Sequence, residues 1–129
     1  MGVLHWLALG TATLLALGII AIGIQYAVSP WSATRSFGLP LPDEGAKTAW
    51  WLRLKGVRDI ASGLTVLALM AWGSPLGVGI VLLAKAVIPV GDMLVVLAAK
   101  GSTRSVFGMH GVTAAVMVST AVALMIGGR

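Results

Sequence analysis

The fold expected from this sequence is an all-α integral membrane four-helix bundle, a single domain over residues 1–129 with both termini on the outer side. Three observations point to it. Hydrophobic residues make up 58% of the chain and charged residues only 10%, far from the balance of a soluble protein. The apolar residues gather into four runs, each as long as the roughly 20 residues that a helix needs to cross a bilayer. Between the runs lie segments rich in proline, glycine and basic residues.

The first run, about residues 6–28, carries no charge. It lacks the basic leader of a signal peptide and its apolar core is too long for one, so it is expected to stay as a helix. The segment "SPWSATRSFGLPLPDEGAK" follows, with three prolines and two glycines that interrupt any helix. The second span covers about 49–72, with charges crowded into its first half. "GSP" then imposes a tight turn. The third span covers about 76–99 and holds Lys85, Pro89 and Asp92; "KGSTR" leads into the fourth, about 106–126. Pro89 has no N–H, so the carbonyl of Lys85 loses its helical partner and a kink beside Asp92 is expected.

Charge sets the expected orientation. Arg35, Lys47, Arg53 and Lys55 fall at the first connection, Lys100 and Arg104 at the third, and the opposite side has Arg129 and the terminal amine. Basic loops stay on the cytoplasmic side, which puts both termini outside and the protein in the cytoplasmic (inner) membrane. Trp6 and Trp72 suit the outer interface, and Trp31, Trp50 and Trp51 the inner one. The net charge of +5 is therefore a topology signal and not a nucleic-acid stripe. Without cysteine, disulfides and thiol chemistry are excluded.

The polar residues within the spans converge on one depth. At about 1.5 Å per residue, Gln25 lies roughly 7 Å from the inner boundary, His110 roughly 9 Å and Asp92 roughly 12 Å, with Arg58 and Asp59 between about 5 and 15 Å. Lys85 lies about 10 Å beyond Asp92, where it can snorkel outward. Thr11, Gly18 and Gln25 form one stripe on the first helix; Arg58, Ser62 and Thr65 form one on the second. Lys85, Pro89 and Asp92 share a face of the third helix, as His110, Thr113, Met117 and Thr120 do on the fourth. Such stripes should face inward, because hydrocarbon cannot solvate them. Adjacent Arg58 and Asp59 point about 100° apart and so call for partners on other helices, the complementary choices being Asp59 with His110 and Arg58 with Asp92.

Four segments, "SPWSATRSFGLPLP", "LRLKGVRDIASGL", "IPVGDMLVVL" and "MHGVTAAVMV", occur in that order along nearly the whole chain. In them the sequence resembles a family of small bacterial and fungal four-helix membrane proteins known only as a domain of unknown function. The resemblance implies a four-helix bundle in which Arg58, Asp59, Asp92 and His110 belong to one site. It implies no activity.

Asp59, Asp92 and His110 are thus the candidate catalytic residues, and Arg58, Gln25 and Lys85 the candidate ligand-binding ones. A carboxylate and an imidazole in a pocket of low dielectric can exchange protons, an arginine can hold an anionic group, and a glutamine can orient a carbonyl. That set suits isomerisation, cyclisation or hydration of a lipophilic small molecule. No phosphate-binding loop or metal-ligand pattern accompanies it, so no cofactor and no metal are expected. Membrane lipids and a lipophilic ligand are the expected partners, nucleic acid is not, and small-residue pairs such as Ala12–Ala16 and Gly111–Ala115 allow packing within the chain or a homo-oligomer. Two other classes stay open: a proton-coupled transporter or channel, which an intramembrane carboxylate also serves, and a non-catalytic lipid-binding or assembly protein. Against the transporter, the first helix lacks the acidic residue of small multidrug exporters.

Overall fold

The computed structural model describes residues 2–127. Among them all regular structure is helical: α1 (Val3–Val28), α2 (Pro30–Thr34), α3 (Ala46–Trp72), α4 (Pro75–Lys85), α5 (Val87–Ala98), α6 (Thr103–Ser105), a π-helical stretch (Val106–Gly111) and α7 (Val112–Gly127). Three stretches are long and apolar enough to cross a membrane: Val3–Val28, Pro75–Ala98 and Thr103–Gly127. The protein is a membrane protein with transmembrane helices. Helix α3 has 27 residues, but Lys47, Arg53, Lys55, Arg58 and Asp59 occupy its first half and it is not among those three. Arg129 and the terminal amine of Met1, on which the outer-side charge comparison draws, lie outside the described residues.

Helix α1 packs along α3 and α4 along α7, with further contact between α1 and α7. The α1–α3 seam closes at two glycines. A Cβ at Gly23 would stand 2.6 Å from the Gly56 carbonyl oxygen, and one at Gly56 would stand 2.5 Å from that of Gly23. Only glycine lets the two backbones come so near, the usual device where helices associate within lipid. Ala8, Ala12 and Ala16 continue the buried edge of α1. The expected inward stripe of Thr11, Gly18 and Gln25 therefore faces the other way: Gly18 and Gln25 are exposed. Thr11 needs no neighbour, because its hydroxyl donates to the Leu7 carbonyl of its own helix at 2.8 Å.

The two ends of the molecule differ. At the α3–α4 turn, the Ser74 hydroxyl caps α4 by accepting from the Gly77 N–H at 3.1 Å, with Pro75 in the first helical position. The buried apolar core, including Val66, Val78, Leu82, Ala121 and Leu124, occupies this half. At the other end, the segments after α1 and α5 dock on each other. Gly38 has φ of 104°, its carbonyl accepts from the Ser102 N–H at 2.8 Å, and a Cβ there would stand 2.5 Å from the Ser105 Cβ. Both the positive φ and the close approach require glycine.

Two irregularities shape the half between core and loops. The stretch Pro75–Ala98 breaks at Ala86, between Lys85 and Val87, one turn before the buried Pro89. This is the expected kink: proline withholds an N–H from the Lys85 carbonyl and crowds it. The last stretch contains the π-helical turn from Val106 to Gly111, which adds a residue and rotates what precedes it. Outside, Leu4, Leu14, Ile24, Leu64, Ile80 and Leu94 are among the large exposed apolar side chains, as a lipid-facing surface demands.

Candidate functional site

A cavity of about 150 Å³ lies between α1, α3, the α4–α5 kink and the last helix. Leu15, Ile19, Val66 and Leu82 give it apolar walls, and Pro89 lines it at the kink. Into this apolar hollow project Ser62, Lys85, Asp92, His110 and Thr113. Thr113 and Met117, one and two turns from His110 along the last helix, share its wall, as their spacing leads one to expect.

His110 is buried, at 5% exposure, and held on two sides. Its Nε2 donates to the Phe37 carbonyl at 2.8 Å; a carbonyl has no proton to give, so the hydrogen sits on Nε2. Its Nδ1 faces Asp92 Oδ2 at 3.8 Å, near enough for charge attraction and too far for a hydrogen bond. The Phe37 ring leans on the imidazole with centroids 4.6 Å apart. His110 lies within the π-helical turn. Lys85 donates to the Ser62 hydroxyl at 2.7 Å, so its ammonium turns into the hollow and not outward.

Asp59 belongs to a neighbouring cluster. It accepts from Lys55, one turn earlier on the same helix, at 2.7 Å. The Lys55 ammonium lies 4.0 Å from the Tyr26 ring centroid and 5.4 Å from that of Phe37, within cation–π range. A second hollow of about 160 Å³, lined by Tyr26, Phe37, Leu52 and Lys55 among others, opens here. Phe37 joins the two sites, with its ring in one and its carbonyl bound to His110.

The expected pairings therefore change. Asp59 pairs with Lys55 instead of His110, and Asp92 faces His110 instead of Arg58. Arg58 and Gln25 are exposed. Since Arg58 sits about 100° around the helix from Asp59, turning the carboxylate inward turns the guanidinium out.

The polar wall of the cavity and the four quoted segments all fall within one family's territory. The chain matches the family described as Domain of unknown function (DUF4267) over residues 16–124. It belongs to that family. The DUF4267 match takes in Ser62, Lys85, Asp92 and His110 together with Phe37 and the Lys55–Asp59 pair. No curated protein and no solved structure gives a match.

Within the DUF4267 region, Phe37, Tyr26 and Lys55 were not singled out by the sequence as site residues. Lys55 and Asp59 carry a readable signal, opposite charges four apart on a helix. Tyr26, the one tyrosine of the chain, and Phe37 carry none, because their places depend on how the first connection folds back.

Proposed function

We propose that the protein is a four-helix membrane bundle that takes a lipophilic small molecule into the cavity and performs acid–base chemistry on it through Asp92 and His110. One observation carries this: a carboxylate and an imidazole 3.8 Å apart share the wall of a largely apolar hollow. The Asp92 side chain is 34% exposed and that of His110 6%. Asp92 is thus the group that meets the ligand, and His110 stands behind it. With Nε2–H committed to Phe37, the Nδ1 lone pair is free to take a proton from Asp92 or return one. Asp92 can then add a proton to a ligand carbon or oxygen, or remove one. Distances of this kind shorten when a ligand binds. Isomerisation, cyclisation and hydration all need such a step, and a dry wall strengthens every charge interaction within it.

Purified protein in lipid nanodiscs, incubated with a membrane lipid extract, tests the proposal by mass spectrometry. The wild type is expected to isomerise or hydrate one lipid component. Asp92→Asn is expected to lower that rate by roughly 100-fold or more, the scale of general acid–base catalysis. Conversion that survives the substitution unchanged refutes the role of Asp92. Loss of solute flux through liposomes, with no conversion at all, assigns the same carboxylate to transport.

The proposal includes α3 as the fourth span, with both termini on the outer side of the inner membrane. Its support is the docking of the two basic connections at one end and the exposed Trp50 and Trp51 near it, against exposed Trp6 and Trp72 towards the other. A periplasmic reporter fused to either terminus should be active and a cytoplasmic one silent. The reverse result inverts the topology.

A further inference from the structure

We propose that the ligand of this cavity is a single-chain lipophilic carboxylate, its head held by Lys85 and Ser62 and its tail leaving towards the bilayer between Ile22 and Ile88. This builds on the acid–base proposal by naming the ligand class. Among the described residues the two ion pairs are Lys55–Asp59 and Asp92–His110. Lys85 is in neither pair, and the partner it does have is a neutral hydroxyl. An ammonium has three donors, and one of them goes to Ser62. Two remain for a ligand in a largely apolar space where Asp92 already faces His110. A cation placed in such a space is retained where it meets an anion, and here the place for that anion is the cavity.

The charge of the head follows from the same wall. One cation balances one negative charge, and Asp92, two turns along the same face, opposes a second. A phosphate monoester carries about −1.5 to −2 near neutral pH, whereas a carboxylate carries one. The shape of the space gives the rest. A cavity of about 150 Å³ holds a group the size of a benzene ring, so it cannot enclose a long chain. Ile22 and Ile88 both line it and are 44% and 52% exposed. They form its lipid-side rim, where a hydrocarbon tail passes into the acyl chains.

Palmitate carrying ¹³C at its carboxyl carbon, titrated into the full-length protein in phosphatidylcholine nanodiscs, is the probe; palmityl alcohol and hexadecyl phosphate are the comparisons. Wild type should bind palmitate, with a shifted carboxyl resonance, more tightly than either comparison. Lys85→Met should weaken palmitate binding by roughly tenfold or more and leave alcohol binding unchanged. Lys85→Arg should restore part of it, which guards against a folding defect in the methionine variant. Asp92→Asn should tighten binding by removing the opposing charge, while lowering lipid conversion by roughly 100-fold or more. Palmitate affinity indifferent to Lys85→Met overturns the proposal, and so does a preference for hexadecyl phosphate or the alcohol. Neither result touches the conversion assay on which the role of Asp92 depends, so the two proposals fail separately.

Discussion

Arg58 and Asp59 are neighbours in sequence with opposite fates. Asp59 turns inward, where Lys55 meets it at 2.7 Å and leaves its side chain 17% exposed; Arg58 stays on the outer surface. The consequence is measurable by thermal unfolding in detergent. Lys55→Met strips a largely buried carboxylate of its cation and should cost about 1–3 kcal/mol, less than the loss of a fully buried pair because some solvent reaches it. Arg58→Gln should stay within about 0.5 kcal/mol of wild type. Equal losses from both would place Arg58 in a stabilising network of its own. At this scale the sequence was legible where polar groups sit deep in an apolar run, as Asp92 and His110 do; Lys85, expected to snorkel outward, turns instead to Ser62. It was less so near the boundary, where a side chain such as Gln25 can reach headgroups and needs no interior partner. The Asp92–His110 pairing was hidden for another reason: Asp59 was an equally complementary partner for His110, and it is Lys55 that takes it.

Among the elements, the α4–α5 break is the one that makes room. Pro89 lines the hollow, and its missing N–H falls opposite the carbonyl of Lys85, where the helix is interrupted. Pro89→Ala restores that donor. The stretch should then straighten, the protein should melt at a higher temperature, and binding of a lipophilic carboxylate should fall. Spin labels placed on α4 and α5 would read the change as a lengthened distance across the break. An unchanged distance with unchanged binding would mean that packing against α7, not proline, sets the bend. The kink itself was readable, because the chemistry of proline is local. The seam of α1 was not. Thr11, Gly18 and Gln25 are as regularly spaced as Ala12, Ala16 and Gly23, and the choice fell to the set that lets α3 approach most closely at Gly56.

At the scale of the whole molecule, the protein divides into a dry half and a polar half. The apolar core lies towards the α3–α4 turn, while the two ion pairs among the described residues, Lys55–Asp59 and Asp92–His110, lie nearer the basic connections. The helical class, the long apolar stretches and the end at which polar groups collect were all visible as hydropathy and charge along the chain. The bridge made by Phe37 was not, because it depends on a left-handed Gly38 and on the docking of two loops far apart in sequence. That bridge ties the first connection to the catalytic candidates, so the site is a property of the assembled fold and not of any one helix. Its central feature is the meeting of Asp92 and His110 in a shared hollow. Solid-state NMR on the protein in bilayers, with the histidine nitrogens and aspartate carboxyl carbons labelled, measures it directly. The expected result is a close through-space contact from His110 Nδ1 to the Asp92 carboxyl, with the proton of Nε2 retained. An imidazole in contact with lipid acyl chains alone, and no signal to Asp92, would contradict it.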